Sequence, residues 1–268
     1  MLRQLAIICP SIMLFCHVAI AQENSWGLSA APAVVAQKYE EFDNDGSRLV
    51  KETATSWVLG VNGFYQFGQD WRIVSALQYS QPDFHYDGQT QQGAPLQTIT
   101  DMEFLIWGVQ GEHRFEVFNH ALWAIAGIEH ERRDRNIRST ATVGGLHEHY
   151  RIWSTLLGAR IDIYSNDHVQ IAAQVIRQFG AKSDQNVTIP TLAASGNGKT
   201  GRSEGLRISI PVLLKQWGHV TITPSISYTY TSRGDYFDLH KDNQNFAQAV
   251  QPAYRQKSFG LTVDIPIK

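Results

Sequence analysis

Between residues 219 and 231 the chain reads His-Val-Thr-Ile-Thr-Pro-Ser-Ile-Ser-Tyr-Thr-Tyr-Thr, with every second residue apolar and the residues between them almost all threonine or serine. Side chains alternate across an extended strand, so Val220, Ile222, Ile226, Tyr228 and Tyr230 share one face. Thr221, Thr223, Ser225, Ser227, Thr229 and Thr231 share the other. Such a strand meets two different solvents. A soluble sandwich can use the pattern once. A chain that crosses lipid with strands must repeat it throughout, because only a closed barrel satisfies every backbone group in hydrocarbon. Recurrence of the pattern therefore decides the fold.

The N-terminus bears on the compartment. Arg3 supplies a positive start, residues 5–18 an apolar core too short for a comfortable membrane helix, and Ala19-Ile20-Ala21 a small-residue cleavage site. Residues 1–21 are expected to be a cleaved signal peptide, leaving 22–268 as one domain. Cys9 and Cys16 leave with the signal, and bulky Phe15 before Cys16 disfavours a lipid-attached cysteine. The mature chain then has no thiol chemistry. Arg3 is the only charged residue removed, so 22 Lys and Arg face 25 Asp and Glu, a net charge of −3. That balance argues against a nucleic-acid partner. No later run of about 18 apolar residues exists to form a membrane helix.

From residue 22 onward, alternating segments recur with tight and long connections in turn. Thr55, Trp57, Leu59, Val61, Gly63, Tyr65 and Phe67 share a face before the turn Gly68-Gln69-Asp70. Trp71, Ile73, Leu77 and Tyr79 follow, then Leu105, Trp107, Val109, Phe115 and Val117, with Gln110, Glu112, Arg114 and Glu116 opposed to the last set. Trp153, Leu157, Ala159, Ile161 and Ile163 form the next clear stripe, and Val169, Ile171, Ala173, Val175 and Phe179 another. Leu206, Ile208, Ile210, Val212 and Leu214 precede the 219–231 strand, and Phe259, Leu261, Val263, Ile265 and Ile267 close the chain. Polar stretches at 87–98, 134–145, 182–203 and 234–253 read as long loops.

This is the pattern of an all-β fold, a single antiparallel transmembrane β-barrel of about ten strands with short turns at one end and long loops at the other. Trp26, Trp71, Trp123 and Trp217 are expected to form an interfacial girdle beside the tight turns. A second aromatic set, including Tyr79, Trp153, Tyr228, Tyr230 and Tyr254, lies toward the loops. Pro211, Pro224 and Pro266 interrupt predicted strands, where each lacks a ladder donor.

In these features the mature chain resembles the bacterial outer-membrane β-barrel proteins as a broad class. The resemblance implies periplasmic turns, extracellular loops, contact with outer-membrane lipid and lipopolysaccharide, and insertion by the barrel-assembly machinery. The C-terminal segment 258–268 is similar to the signal that machinery reads, although it ends in Ile267-Lys268 where the class usually has an aromatic. Ten strands enclose a narrow lumen, and Arg72, Glu112, Arg114, Glu116, Arg160, Asp162, Arg207, Lys215 and Asp264 are expected to face it. Their mixed charges suggest a polar plug or a narrow porin-like pore.

Three constellations carry candidate chemistry. If paired residue numbers sum to about 278, Glu129 lies opposite His149 and Glu131 opposite His147, a carboxylate and imidazole set able to hold a divalent metal. Arg132, Arg133, Arg135 and Arg138 suit lipopolysaccharide phosphates. At the rim, Asp83 and His85 with Asp238 and His240 suggest a hydrolytic site. The Asp238-Leu239-His240 spacing resembles the Asp/His half of the omptin protease arrangement, and His85 stands where that arrangement has a second Asp. No serine stands out as a nucleophile, and no cofactor is implied. The favoured role is a non-enzymatic surface barrel that is structural or binds a ligand; an omptin-like hydrolase and a narrow solute pore are the alternatives.

Overall fold

The computed structural model describes residues 25–90, 93–117, 120–242 and 244–267. The expected signal peptide, the start at Gln22 and both cysteines lie outside them.

Alternation extends the chain into β1 (Ser25–Ala30), β2 (Ala33–Phe42), β3 (Arg48–Phe67), β4 (Trp71–Ser80), β5 (Asp83–Gln89) and β6 (Pro95–Val117). There follow β7 (His120–Ile137), β8 (Leu146–Ser165), β9 (Val169–Gly180), β10 (Asp184–Ile189), β11 (Ala194–Lys199) and β12 (Ser203–Ser209). The rest is β13 (Val212–Leu214), β14 (Val220–Thr231), β15 (Phe237–Lys241), β16 (Gln244–Ala249) and β17 (Ala253–Ile267). Several of these are consecutive pieces of one stave, so the ring has ten staves: β1 with β2, β3, β4 with β5, β6, β7, β8, β9 with β10, β11 to β13, β14 with β15, and β16 with β17. All pairings are antiparallel. The last stave returns to the first, through Leu261↔Val34 and Ile267↔Leu28.

Prolines mark the breaks within staves. Pro32, Pro82 and Pro211 each sit where a strand piece ends, and their carbonyls still accept from Val263, Met102 and Ala172 across the ladder. Proline lacks the donor but keeps the acceptor, so a break costs the sheet one bond rather than two. Pro224 stays inside β14, opposite Leu261.

The wall has two zones with opposite sidedness. Nearer the tight turns, Trp57, Leu77, Ile128, Leu157, Ile208, Ile226 and Phe259 point outward and are 40–72% exposed, an apolar belt. Trp26, Trp71 and Trp217 edge it at the turn end, also exposed. Trp123 does not join them. It is buried inside the barrel between Arg72 and Arg160, whose guanidinium carbons lie 5.1 and 4.7 Å from its ring. Alternation along β7 puts Trp123 in phase with Ile125 and Glu129, all inward.

Beyond the belt most of the stretches expected as long loops contain strand, residues 138–145 apart. β5 and β6 leave only residues 90–94 between them, and the segments after β9 and β14 fold as the hairpins β10–β11 and β15–β16. Here the apolar side chains turn inward: Phe84, Met102 and Phe104 form one buried cluster, Val50, Tyr86 and Ile137 a second, Val187, Phe237 and Leu239 a third. Outside the belt the surroundings are aqueous, so apolar groups gain by filling the interior. We call this zone the collar.

Candidate functional site

The collar's reversed sidedness disperses the rim residues. Phe84 and Tyr86 are the inward side chains of β5, which leaves Asp83 and His85 on the outer surface. Phe237 and Leu239 do the same to Asp238 and His240 on β15. Asp238 accepts from Asn245 and Gln248, and Asp83 pairs with Arg138 at 3.7 Å. The two pairs sit on staves separated by three others, with the barrel wall between them. General acid–base chemistry needs its groups within hydrogen-bond reach, so these four residues form no joint site. Mass spectrometry of a peptide pool incubated with the protein is expected to show no fragments that disappear in an Asp238→Ala/His240→Ala variant.

The expected metal set is also separated. Paired numbers between β7 and β8 sum to 283, so Glu129 faces Ser154, Glu131 faces Ile152, Asp134 faces His149 and Asn136 faces His147. The odd offset places Glu129 and Glu131 inside and both histidines outside. Glu129 accepts from Arg207 at 3.2 Å and Gln178 at 3.1 Å, and Glu131 pairs with Arg133 at 2.6 Å. Among the described residues no group of three or more His, Cys, Asp and Glu is arranged to hold a metal.

Of the four loop arginines, Arg133 and Arg135 point inward and are each only 4% exposed. Arg135 makes the central contact of the collar. Its Nη1 donates to Glu41 at 3.1 Å and Glu148 at 2.6 Å, and its Nη2 donates to Glu52 at 2.8 Å. Tyr39 donates to Glu41 at 2.9 Å and Thr100 to Glu52 at 2.7 Å. Burial pushes the Glu41 carboxyl above its ordinary value; Arg135 pulls it back in part, while Glu148 and Glu52 push it further up. Arg133, one inward step nearer the turns, lies against the rings of Phe104, Tyr150 and Tyr254 at 5.4 to 5.8 Å. Tyr254 is thus an interior residue, 3% exposed, and no part of the outer aromatic set. Above come the apolar clusters, so side chains seal the collar.

Below Arg133 the lumen is hollow. A cavity of about 280 Å³ and a larger one of about 830 Å³ share Gln78, Ile106, Glu129, Arg207, Ser209 and Thr223 in their walls. The larger reaches Trp26, Gly218 and Ile267 at the turn end. The threonines and serines of β14 line one side of this hollow, and the ion pairs Arg72–Glu112 and Arg207–Glu129 the other. Small hydroxyl side chains occupy too little volume to fill it. Of the expected inward charges, Arg72, Glu112, Arg160, Arg207 and Asp264 line this space, whereas Arg114 and Glu116 pair with each other at the turn end and Lys215 donates to the Asn166 carbonyl there, because the alternating face runs past the end of the lumen.

On the outside, where belt meets collar, Trp107, His130 and Trp153 pack together with centroids 4.6 to 5.7 Å apart. The next outward pair up the β7–β8 ladder is Arg132 opposite Arg151. Like charges directly across a ladder repel. Their bonded partners lie to one side: Arg132 donates to Asp134 at 3.1 Å, Arg151 to His149 at 3.3 Å, and His149 contacts Asp134. Arg138, further up, is exposed and bonded to Asp101, whose carboxyl it holds below the usual range. Arg151, Glu41, Glu52 and Glu148 were not among the expected site residues. The in-phase run Glu129, Glu131, Arg133, Arg135 on β7 was the available signal that this face turns inward.

No family model and no curated protein sequence matches the chain. Among solved structures, the outer membrane protease OmpT from Escherichia coli matches with a TM-score of 0.61 at 8% identity, over 92% of this chain and 97% of that one. The translocator domain of the autotransporter NalP from Neisseria meningitidis matches at 7% identity and a TM-score of 0.40, over 88% of each chain. Neisserial surface protein A does so at 11% identity and a TM-score of 0.33, over 91% of this chain and 99% of that one. A closed antiparallel ring, an exposed apolar belt and the likeness to OmpT define the fold of an outer-membrane β-barrel. The ring of this chain has ten staves, and its overall fold is similar to that of OmpT. Identities this low speak to fold alone.

Proposed function

We propose that this chain is a non-enzymatic surface barrel that works through the outside of its collar, where it holds the phosphate groups of lipopolysaccharide. The observation that carries the reading is the Arg132–Arg151 pair standing directly above Trp107, His130 and Trp153. Indole rings prefer the level of lipid headgroups, so the pair stands at phosphate height in the outer leaflet. A guanidinium pair that repels across the ladder gains most from a shared anion, and Arg binds phosphate in a bidentate fork. Arg138 extends the patch upward, while Arg133 and Arg135 are spent inside the barrel.

Binding of the refolded barrel to bisphosphorylated lipid A in native mass spectrometry tests this. Arg132→Ala/Arg151→Ala is expected to lower the affinity about tenfold or more, consistent with loss of charge-assisted bonds. Dephosphorylated lipid A should bind both forms equally weakly. Equal affinity of parent and variant for the bisphosphorylated lipid would sink the reading.

A further inference from the structure

The Arg135 layer does not balance its charge. One guanidinium faces three carboxylates, and Glu41, Glu52 and Glu148 are 6%, 0% and 8% exposed. Among the described residues the neighbouring elements supply no second cation. Tyr39 faces the layer from β2, Tyr86 from β5, Tyr150 from β8 and Tyr254 from β17. Arg133 belongs to Glu131. Gln185 and Gln251, bonded to each other and to Tyr150, are neutral. The Glu52 Oε2 and Arg135 Nε atoms are buried with no hydrogen-bond partner. A layer with all its carboxylates ionised would carry two uncompensated negative charges out of water, which is strongly unfavourable.

We propose that this layer is a proton-held lid over the hollow lumen, and that losing its protons opens the barrel as a cation-selective conduit. Three features support it. The two cavities below share wall residues and between them reach from the turn end up to Arg133. The three carboxylates sit on β2, β3 and β8, so their mutual repulsion pushes separate staves apart. Once apart, they form a ring of acidic groups, which selects cations. Burial holds the Tyr39 and Tyr150 hydroxyls well above their ordinary value and pushes Tyr86 up to about 12, so the phenols stay neutral around the layer. The inference goes beyond the phosphate-binding reading and rests on the sealed collar.

Potassium currents through the full barrel in planar bilayers test it at pH about 5 and about 9. The expected result is a closed barrel at the acid value and cation-selective steps at the alkaline one, with mean current rising about tenfold or more. Glu41→Gln, which keeps a neutral group in place, is expected to stay closed at both. Equal, measurable currents at both values overturn the lid and the sealed collar together. No current at either, with the folded state verified by heat-dependent gel mobility, overturns the lid alone.

A second readout needs no lid variant. Ser227→Cys places a thiol in the hollow of a chain carrying Cys9→Ser and Cys16→Ser. Its labelling from outside intact cells, relative to an exposed Ser47→Cys control, should rise about tenfold between the two pH values. An unchanged ratio counts against the lid.

Discussion

Arg135→Ala is expected to destabilise the folded barrel by about 3–5 kcal/mol, because removing one partner of a buried ion cluster strands the others. Here three carboxylates are stranded at once, each less than 10% exposed, so the upper end of that range applies. The heat-dependent gel shift should move to markedly lower temperature, and urea unfolding in detergent should reach its midpoint earlier. Replacing all four groups together, with Arg135→Met, Glu41→Gln, Glu52→Gln and Glu148→Gln, should recover most of the loss, since it removes both the charges and the need for a partner. If Arg135→Ala unfolds like the parent, the layer contributes no cohesion to the collar.

Acid should help the single variant. Glu41 has a folded value raised by burial and by Glu148 and Glu52, so its contribution is fully present below the ordinary carboxylate range. That contribution is lost as pH rises through the raised value. Stability of Arg135→Ala is therefore expected to improve on going from neutral pH toward about pH 5. The opposite slope would mean that paired, ionised carboxylates dominate the collar.

Ile226→Arg carries the second large effect. Ile226 sits in the outward stripe of β14, 52% exposed, between Ile208 and Phe259 on the neighbouring strands. A cation on the lipid face of a barrel costs about 2–4 kcal/mol near the midplane and little near the interfaces. Its neighbour Ser227 faces the hollow, bonded to Ser258 at 2.7 Å. Ser227→Asn should cost less than about 1 kcal/mol, because the hollow has room for the larger polar group. Guanidinium unfolding of the two variants in lipid vesicles reads the difference. Equal effects would place both residues in the same solvent and contradict the sidedness of β14.

The amino-acid pattern alone revealed the barrel. Alternation from β3 to β17 identified nearly every lipid-facing residue, from Trp57 and Leu59 to Leu261 and Ile265, because a side chain in lipid must be apolar and period two is the only way a strand can supply that. It also marked the inward charges Arg72, Glu112, Arg160, Arg207 and Asp264. Above the belt the same rule loses its sign. Phe84, Tyr86, Phe237 and Leu239 are apolar because they fill a core, so their neighbours Asp83, His85, Asp238 and His240 face water outside. Nothing local distinguishes that case from a polar mouth.

Register was equally out of reach. A sum of 278 and one of 283 satisfy the same composition across the β7–β8 hairpin, yet the difference sends Glu129 and His149 to opposite sides of the wall. The meeting of Arg135 with Glu41, Glu52 and Glu148 depends on four strands separated by up to 107 residues, and only closure of the ring brings them together. Which residues face lipid was therefore a local property, written into period two by the solvent itself. Which residues meet across the lumen was decided by stagger and closure, since those set partners that no stretch of chain encodes alone.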